Sequence, residues 1–250
     1  MAAVLAGNID VSELLLDNKA DVNSEDELGM TVLMAAVQLG RSEMADLLLN
    51  YNADVNAKDK GGSAALMCAA GNMDIFNMLV AKGADICAVN NQRITVLMNT
   101  VLGGNVEIAR YLSGNGADVN AKNSEGGTAM MNTVLGGNID IYNLLVNNGA
   151  DINAKNNDGG TVLMLASIGG NIEIVRSLLG KWSNINAKSD VGATAVMVAA
   201  LNGRTDVVWL LINSGADINV RNKDGDTALS LAKATGHDET VSLLMSSGAV

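Results

Sequence analysis

Apolar residues fall along the chain in paired short clusters, and the pairs themselves recur. Thr161-Val-Leu-Met-Leu-Ala166 is a compact apolar run opened by a threonine. A Gly170-Asn171 turn follows. Ile172-Glu-Ile-Val-Arg-Ser-Leu-Leu179 then places its apolar residues at helical spacing. The pattern predicts a unit of turn, short helix, tight turn and second helix. Threonine at the start of the first helix offers a hydroxyl to an orphan backbone N–H. Asn8, Asn72, Asn105, Asn138 and Asn171 stand where they cap the second helices, and Gly83, Gly116, Gly149, Gly215 and Gly248 stand where those helices must end.

The unit repeats. Ala-Asp-Val/Ile-Asn recurs at Asp21, Asp54, Asp85, Asp118, Asp151, Asn184 (in the same frame) and Asp217, at intervals of 33, 31, 33, 33, 33 and 33 residues. A second marker lies ten residues after each, at Thr31, Ala64, Thr95, Thr128, Thr161, Thr194 and Thr227. A fixed period of this length signals a stacked repeat architecture.

The 33-residue period, the Thr-x-Leu-x-x-Ala segment and the Gly-Ala-Asp-Val/Ile-Asn segment together resemble the ankyrin repeat, across essentially the whole chain. The resemblance implies an all-α solenoid of stacked helix-turn-helix units with projecting hairpin-like loops. It implies one domain over 1–250: a partial first repeat (1–19), internal repeats (about 20–219) and a C-terminal capping repeat (about 220–250).

Departures from the family pattern are informative. The family's Thr-Pro-Leu-His becomes Thr-Val/Ala-Leu-Met. The histidine position holds Met34, Met67, Met98, Met131, Met164 and Met197, then Ser230. Methionine cannot donate the family histidine's hydrogen bonds, so cohesion is expected to shift towards apolar burial. Lys19, Asn52 and Trp182 replace the helix-ending glycine, and Arg93 replaces a loop glycine; all four are expected to carry the strain of a positive φ. The third repeat is two residues short between Ala70 and Asn72, so about half a helical turn is expected to be missing there.

Composition narrows the function. The chain has 250 residues, 2 Cys, 1 His, no Pro and a net charge of −11. That charge argues against a phosphate-tracking nucleic-acid surface and favours basic partners. No apolar run approaches the roughly 18 residues of a membrane span, so no membrane insertion is expected. The start of the chain lacks the basic region of a secretory signal. Two cysteines form no disulfide framework and point to a reducing, intracellular, cytoplasmic setting; as small apolar side chains Cys68 and Cys87 are expected to be buried or half-buried. Two Cys and one distant His237 do not make a metal site, and no cofactor is expected. No phosphate loop, His-Glu-x-x-His or Gly-x-Ser-x-Gly motif occurs. The chain is expected not to be an enzyme.

In ankyrin proteins partners dock on the concave face, formed by loop tips and inner helices, and the resemblance implies the same here. One inner-helix row holds Leu5, Gln38, Leu102, Leu135, Ile168, Leu201 and Ala234. Four successive aliphatics, Leu102 to Leu201, suit an apolar groove, or else tuck between neighbouring repeats. Beside them run Asn99, Asn132, Leu165 and Val198. The two amides are expected to bond each other, loop carbonyls or a ligand's backbone. Gln92, Arg93, Glu125, Asp158 and Asp190 supply a polar rim of loop tips. Trp209, on the second-helix row, is expected to be exposed.

The expected function is a non-catalytic module that binds a protein partner and is itself a monomer. Two alternatives differ in class: a consensus-like or engineered stack without a dedicated partner, and the ankyrin portion of a larger protein whose activity lies elsewhere.

Overall fold

A computed structural model describes residues 1–181 and 183–250. Trp182, with the strain expected of it, lies outside the described residues. Among the described residues there are sixteen helices and no strand longer than an isolated bridge. They are α1 (Ala2–Ala6), α2 (Ile9–Asp17), α3 (Val32–Gln38), α4 (Ser42–Asn50), α5 (Ala65–Cys68), α6 (Met73–Ala81), α7 (Val96–Gly103) and α8 (Val106–Gly114). There follow α9 (Ala129–Gly136), α10 (Ile139–Asn147), α11 (Val162–Gly169), α12 (Ile172–Gly180), α13 (Ala195–Leu201), α14 (Thr205–Asn213), α15 (Ala228–Ala234) and α16 (Asp238–Ser246).

The chain divides into two compact units, 1–118 and 119–250. In the first, the odd-numbered helices pack in the order α1, α3, α5, α7 and the even-numbered ones in the order α2, α4, α6, α8. The second repeats the plan, with α9, α11, α13, α15 in one layer and α10, α12, α14, α16 in the other. Each unit is thus a two-layer stack in which a repeat touches its neighbours, the architecture of an all-α solenoid.

Local chemistry sets the helix boundaries. The side chains of Thr31, Thr95, Thr128, Thr161 and Thr227 accept from the N–H three residues on. All five turn asparagines cap their second helices in the same way. Thr194 departs from the expectation: its buried hydroxyl caps nothing and has no partner. Gly83 ends α6 with φ 86°, a left-handed conformation that costs glycine little. Lys19, Asn52 and Arg93 adopt the same region at φ 66°, 62° and 60° despite their side chains.

The shortened third repeat has its expected consequence. Its inner helix, α5, is one turn of four residues, where α3 and α7 have seven and eight. The methionine row forms the core: Met34, Met67, Met98, Met131, Met164 and Met197 are all buried.

Loops are held by a ladder of short bonds. Glu25–Thr31, Lys58–Ala64, Val89–Thr95 and Lys155–Thr161 close as antiparallel bridges, which makes the loops hairpin-like. The aspartates of the Ala-Asp motif accept from the amide two residues on, as at Asp54 and Asn56 (2.9 Å). The following asparagine bridges to the next repeat. Asn56 accepts from the Asp85 amide at 2.8 Å and donates to the Gly83 carbonyl at 3.0 Å.

Both cysteines correct the sequence expectation, for both are exposed and free. Cys68 ends the truncated α5, where the missing half-turn leaves its side uncovered. The partial burial that remains, with the Asp59 charge, still pushes its thiol pKa up. Cys87 stands in the bridging-asparagine position of the fourth repeat and is left with one long contact, its thiol donating to the Gly116 carbonyl at 3.7 Å.

Tyr51, after α4, donates its hydroxyl to the Asp17 carboxylate at the end of α2. That hydrogen bond, then lost hydration and the Asp17 and Glu13 charges, pushes the phenol up to about 12. The neutral phenol is the form held, so the contribution to stability is full below the unfolded pKa of about 10 and is lost as pH rises towards 12. An ultraviolet titration is expected to show Asp17→Asn ionising one more tyrosine than wild type near about pH 11. Superimposable curves contradict the assignment.

Candidate functional site

The first unit carries Asn99 and Leu102 on α7, with Gln92 and Arg93 on the loop before it. Leu102 is 67% exposed, and both loop residues are exposed. Asn99 is half-buried, and its amide donates to the Met67 carbonyl at 3.3 Å. Met67 lies in the one-turn α5, whose carbonyls lack helical partners further along. Asn99 therefore satisfies an orphan carbonyl left by the two-residue deletion. Its partner is a helix carbonyl, neither Asn132 nor a loop.

The second unit carries a longer row. Leu135 lies next to the last residue of α9 at 46% exposure, Ile168 is half-buried near the end of α11, and Leu201 ends α13 at 41% exposure. The three helices pack in sequence, so the side chains lie one repeat apart on neighbouring inner helices. They do not tuck away between repeats as Leu163 and Met164 do, at 2% and 3% exposure. Asn132, Leu165 and Val198, one turn earlier, are half-buried beside them. Glu125, Asp158 and Asp190 are exposed at the loop tips. These loops are stitched by backbone bonds, Asn157 N–H to Glu125 C=O and Asp190 N–H to Asp158 C=O, both 2.9 Å. The acidic rim is thereby held in a regular series.

Sequence reasoning missed the residues that fix the ends of these inner helices. Arg204 Nε donates to the Ile168 carbonyl at 3.0 Å, and the His237 ring Nε2 lies 3.1 Å from the Leu201 carbonyl. In the first unit Arg41 donates to the Leu5 carbonyl at 2.8 Å. Each reaches back 36 residues to an orphan carbonyl at a helix C-terminus, where the charge of the two arginines also suits the helix dipole. The signal was present: Arg or His replaces Asn at these three turns. What it meant required the neighbouring repeat. His237, at the Gly-His turn, thus has a structural partner.

Gly169 sets how close α9 and α11 lie. A Cβ there would sit 2.4 Å from the Val134 carbonyl oxygen and 2.8 Å from that of Leu135. A side chain at position 169 would therefore force α9 and α11 apart beside Leu135.

The turn–helix–turn–helix unit, its period and its hairpin loops are those of one repeat family. Models of three consecutive ankyrin repeats match residues 1–90, 71–156, 97–189 and 163–250, which together span the chain. The chain belongs to the ankyrin repeat family. No match is found among curated proteins. Ankyrin repeats are generally protein–protein interaction modules and are typically non-catalytic. Among the described residues no three His, Cys, Asp or Glu side chains converge as metal ligands, and no helix is long and apolar enough to cross a membrane.

Trp209 is 53% exposed on α14, as its place in the second-helix row predicts. It lies apart in sequence register from the inner-helix rows and belongs to a different surface.

Proposed function

We propose that this ankyrin chain is a non-catalytic module that binds a protein partner on the inner-helix face of residues 119–250. The observation that carries the reading is the row Leu135, Ile168 and Leu201, three aliphatic side chains reaching solvent one repeat apart on packed helices. An apolar centre inside a polar rim is interface anatomy, and Glu125, Asp158 and Asp190 form such a rim. Leu165 and Val198 extend the centre, and Asn132 adds an amide. Asn99, Leu102, Gln92 and Arg93 offer a smaller set of the same kind on the first unit. The acidic loops and the net charge of −11 favour a basic protein over a nucleic acid. The 33-residue period runs through residue 118 unbroken, which supports reading 1–250 as one repeat domain. Two free thiols support a reducing, intracellular compartment, with the chain acting as a monomer.

Truncating an apolar anchor at an interface centre costs more than about 1–2 kcal/mol. Leu135→Ser with Ile168→Ser is therefore expected to weaken partner binding by more than about tenfold, with circular dichroism and melting retained. A photo-crosslinking residue at Leu165 is expected to capture the partner, and one at Asn143 on α10 to miss it. Normal binding by the folded double variant overturns the reading.

A further inference from the structure

An open cavity of about 560 Å³ lies between the second helices of the last two repeats, lined by Gly203, Thr205, Asp206, Trp209, Glu239 and Leu243. We infer that this cavity is a second docking site, which takes an arginine side chain from a basic protein segment.

The fold does not require an aromatic residue at position 209. The same position in the other repeats holds Glu13, Asp46, Asn77, Arg110, Asn143, Arg176 and Ser242, all polar. Trp209 nonetheless keeps half its surface in solvent, and its π-face is the best natural surface for a cation. The floor is modified too. Thr205 replaces the apolar Met73, Val106, Ile139 and Ile172 of repeats three to six, and its hydroxyl is tied to that of Thr240 at 2.8 Å. Thr205 is shorter than Met73, Ile139 and Ile172 and matches Val106 in size, and its hydroxyl makes the floor polar beside the indole.

Charge decides the occupant. Asp206 and Glu239 are second residues of α14 and α16, where carboxylates also suit the helix N-termini. Every repeat has an acid there, but among the described residues only this cavity sets two of them beside an exposed indole. No lining residue is cationic. One carboxylate oxygen of Asp206 accepts from the Val207 amide at 2.8 Å, which leaves its other oxygen for a guest. A planar guanidinium can stack on the indole while its edge donates to carboxylates, and an ammonium cannot do both as well. The site is independent of the inner-helix face: it uses neither its helices nor its residues.

The test uses a blocked, fluorescein-labelled hexaarginine peptide and anisotropy at fixed ionic strength. Asp206→Asn with Glu239→Gln, and separately Trp209→Ala, are each expected to weaken binding about tenfold. Asp74→Asn with Glu107→Gln removes the same charge from the same helix positions in the first unit. It is expected to change binding by less than about twofold, with melting curves checking all variants. In a Trp182→Phe background, where Trp209 is the sole tryptophan, the peptide is expected to alter indole fluorescence saturably. Equal losses in the two charge-matched pairs, full binding by Trp209→Ala or an unresponsive indole each overturn the proposal. Hexalysine binding as tightly as hexaarginine overturns the guanidinium assignment.

Discussion

Phe76→Ala is expected to lower stability by about 3–5 kcal/mol, the largest effect of any single truncation considered. Phe76 is the chain's one phenylalanine, fully buried on α6. Its ring meets Tyr111 of α8 edge-on, with centroids 5.5 Å apart and planes at 79°, a geometry worth more than its area alone. The equivalent positions in the repeats on either side are Ala45 and Ala109, both fully buried. One large side chain thus fills space left by two small ones, and neither neighbour can grow to fill a cavity. The third repeat is also the one whose inner helix has lost half a turn, so α6 carries more of its cohesion. Chemical denaturation followed by circular dichroism measures the loss. Phe76→Leu, which retains most of the volume, is expected to cost about 1–2 kcal/mol. A Phe76→Ala loss below about 1 kcal/mol would falsify this account of the third repeat.

Gly169→Ala is expected to cost about 2–3 kcal/mol, within the range for overpacking. The atoms a Cβ would strike are backbone carbonyl oxygens of α9, at 2.4 and 2.8 Å. No rotamer change relieves them, so α9 and α11 must separate. Gly103 ends α7 in the same register, and there the nearest atom to a Cβ is the Ala70 oxygen at 3.5 Å, an ordinary contact. Gly103→Ala is therefore expected to be neutral or to stabilise by up to about 1 kcal/mol through helix propensity. Paired thermal melts of the two variants test the contrast directly; similar shifts in both would show that propensity, not the close approach, governs the site. Because Leu135 lies beside the contact, Gly169→Ala is also expected to disturb partner binding.

Much of the fold was legible because ankyrin repeats are written in local chemistry. A threonine oxygen reaches an amide three residues away whatever lies beyond, and a methionine on the inner helix of six successive repeats has nowhere to go but the core. The cap asparagines, the left-handed helix ends and the shortened α5 followed from such short-range rules. The binding rows were legible as rows, since positions one period apart must recur on one face.

The sequence by itself determined the period, the helix pairs, the buried methionine row and the positions available for docking. Tertiary structure decided which of those positions are free. Leu135 and Leu201 stay open at 46% and 41% exposure while Ile168, in the same row, is half-buried, a difference set by how neighbouring repeats pack. Asn99 turned inward because a neighbour's missing half-turn left a carbonyl to satisfy. Arg204 and His237 reached back 36 residues to helix ends, and Cys68 stayed exposed because α5 stops at it. Residue type and spacing encode contacts within a repeat; contacts between repeats depend on helix length and register, which only the packed stack supplies.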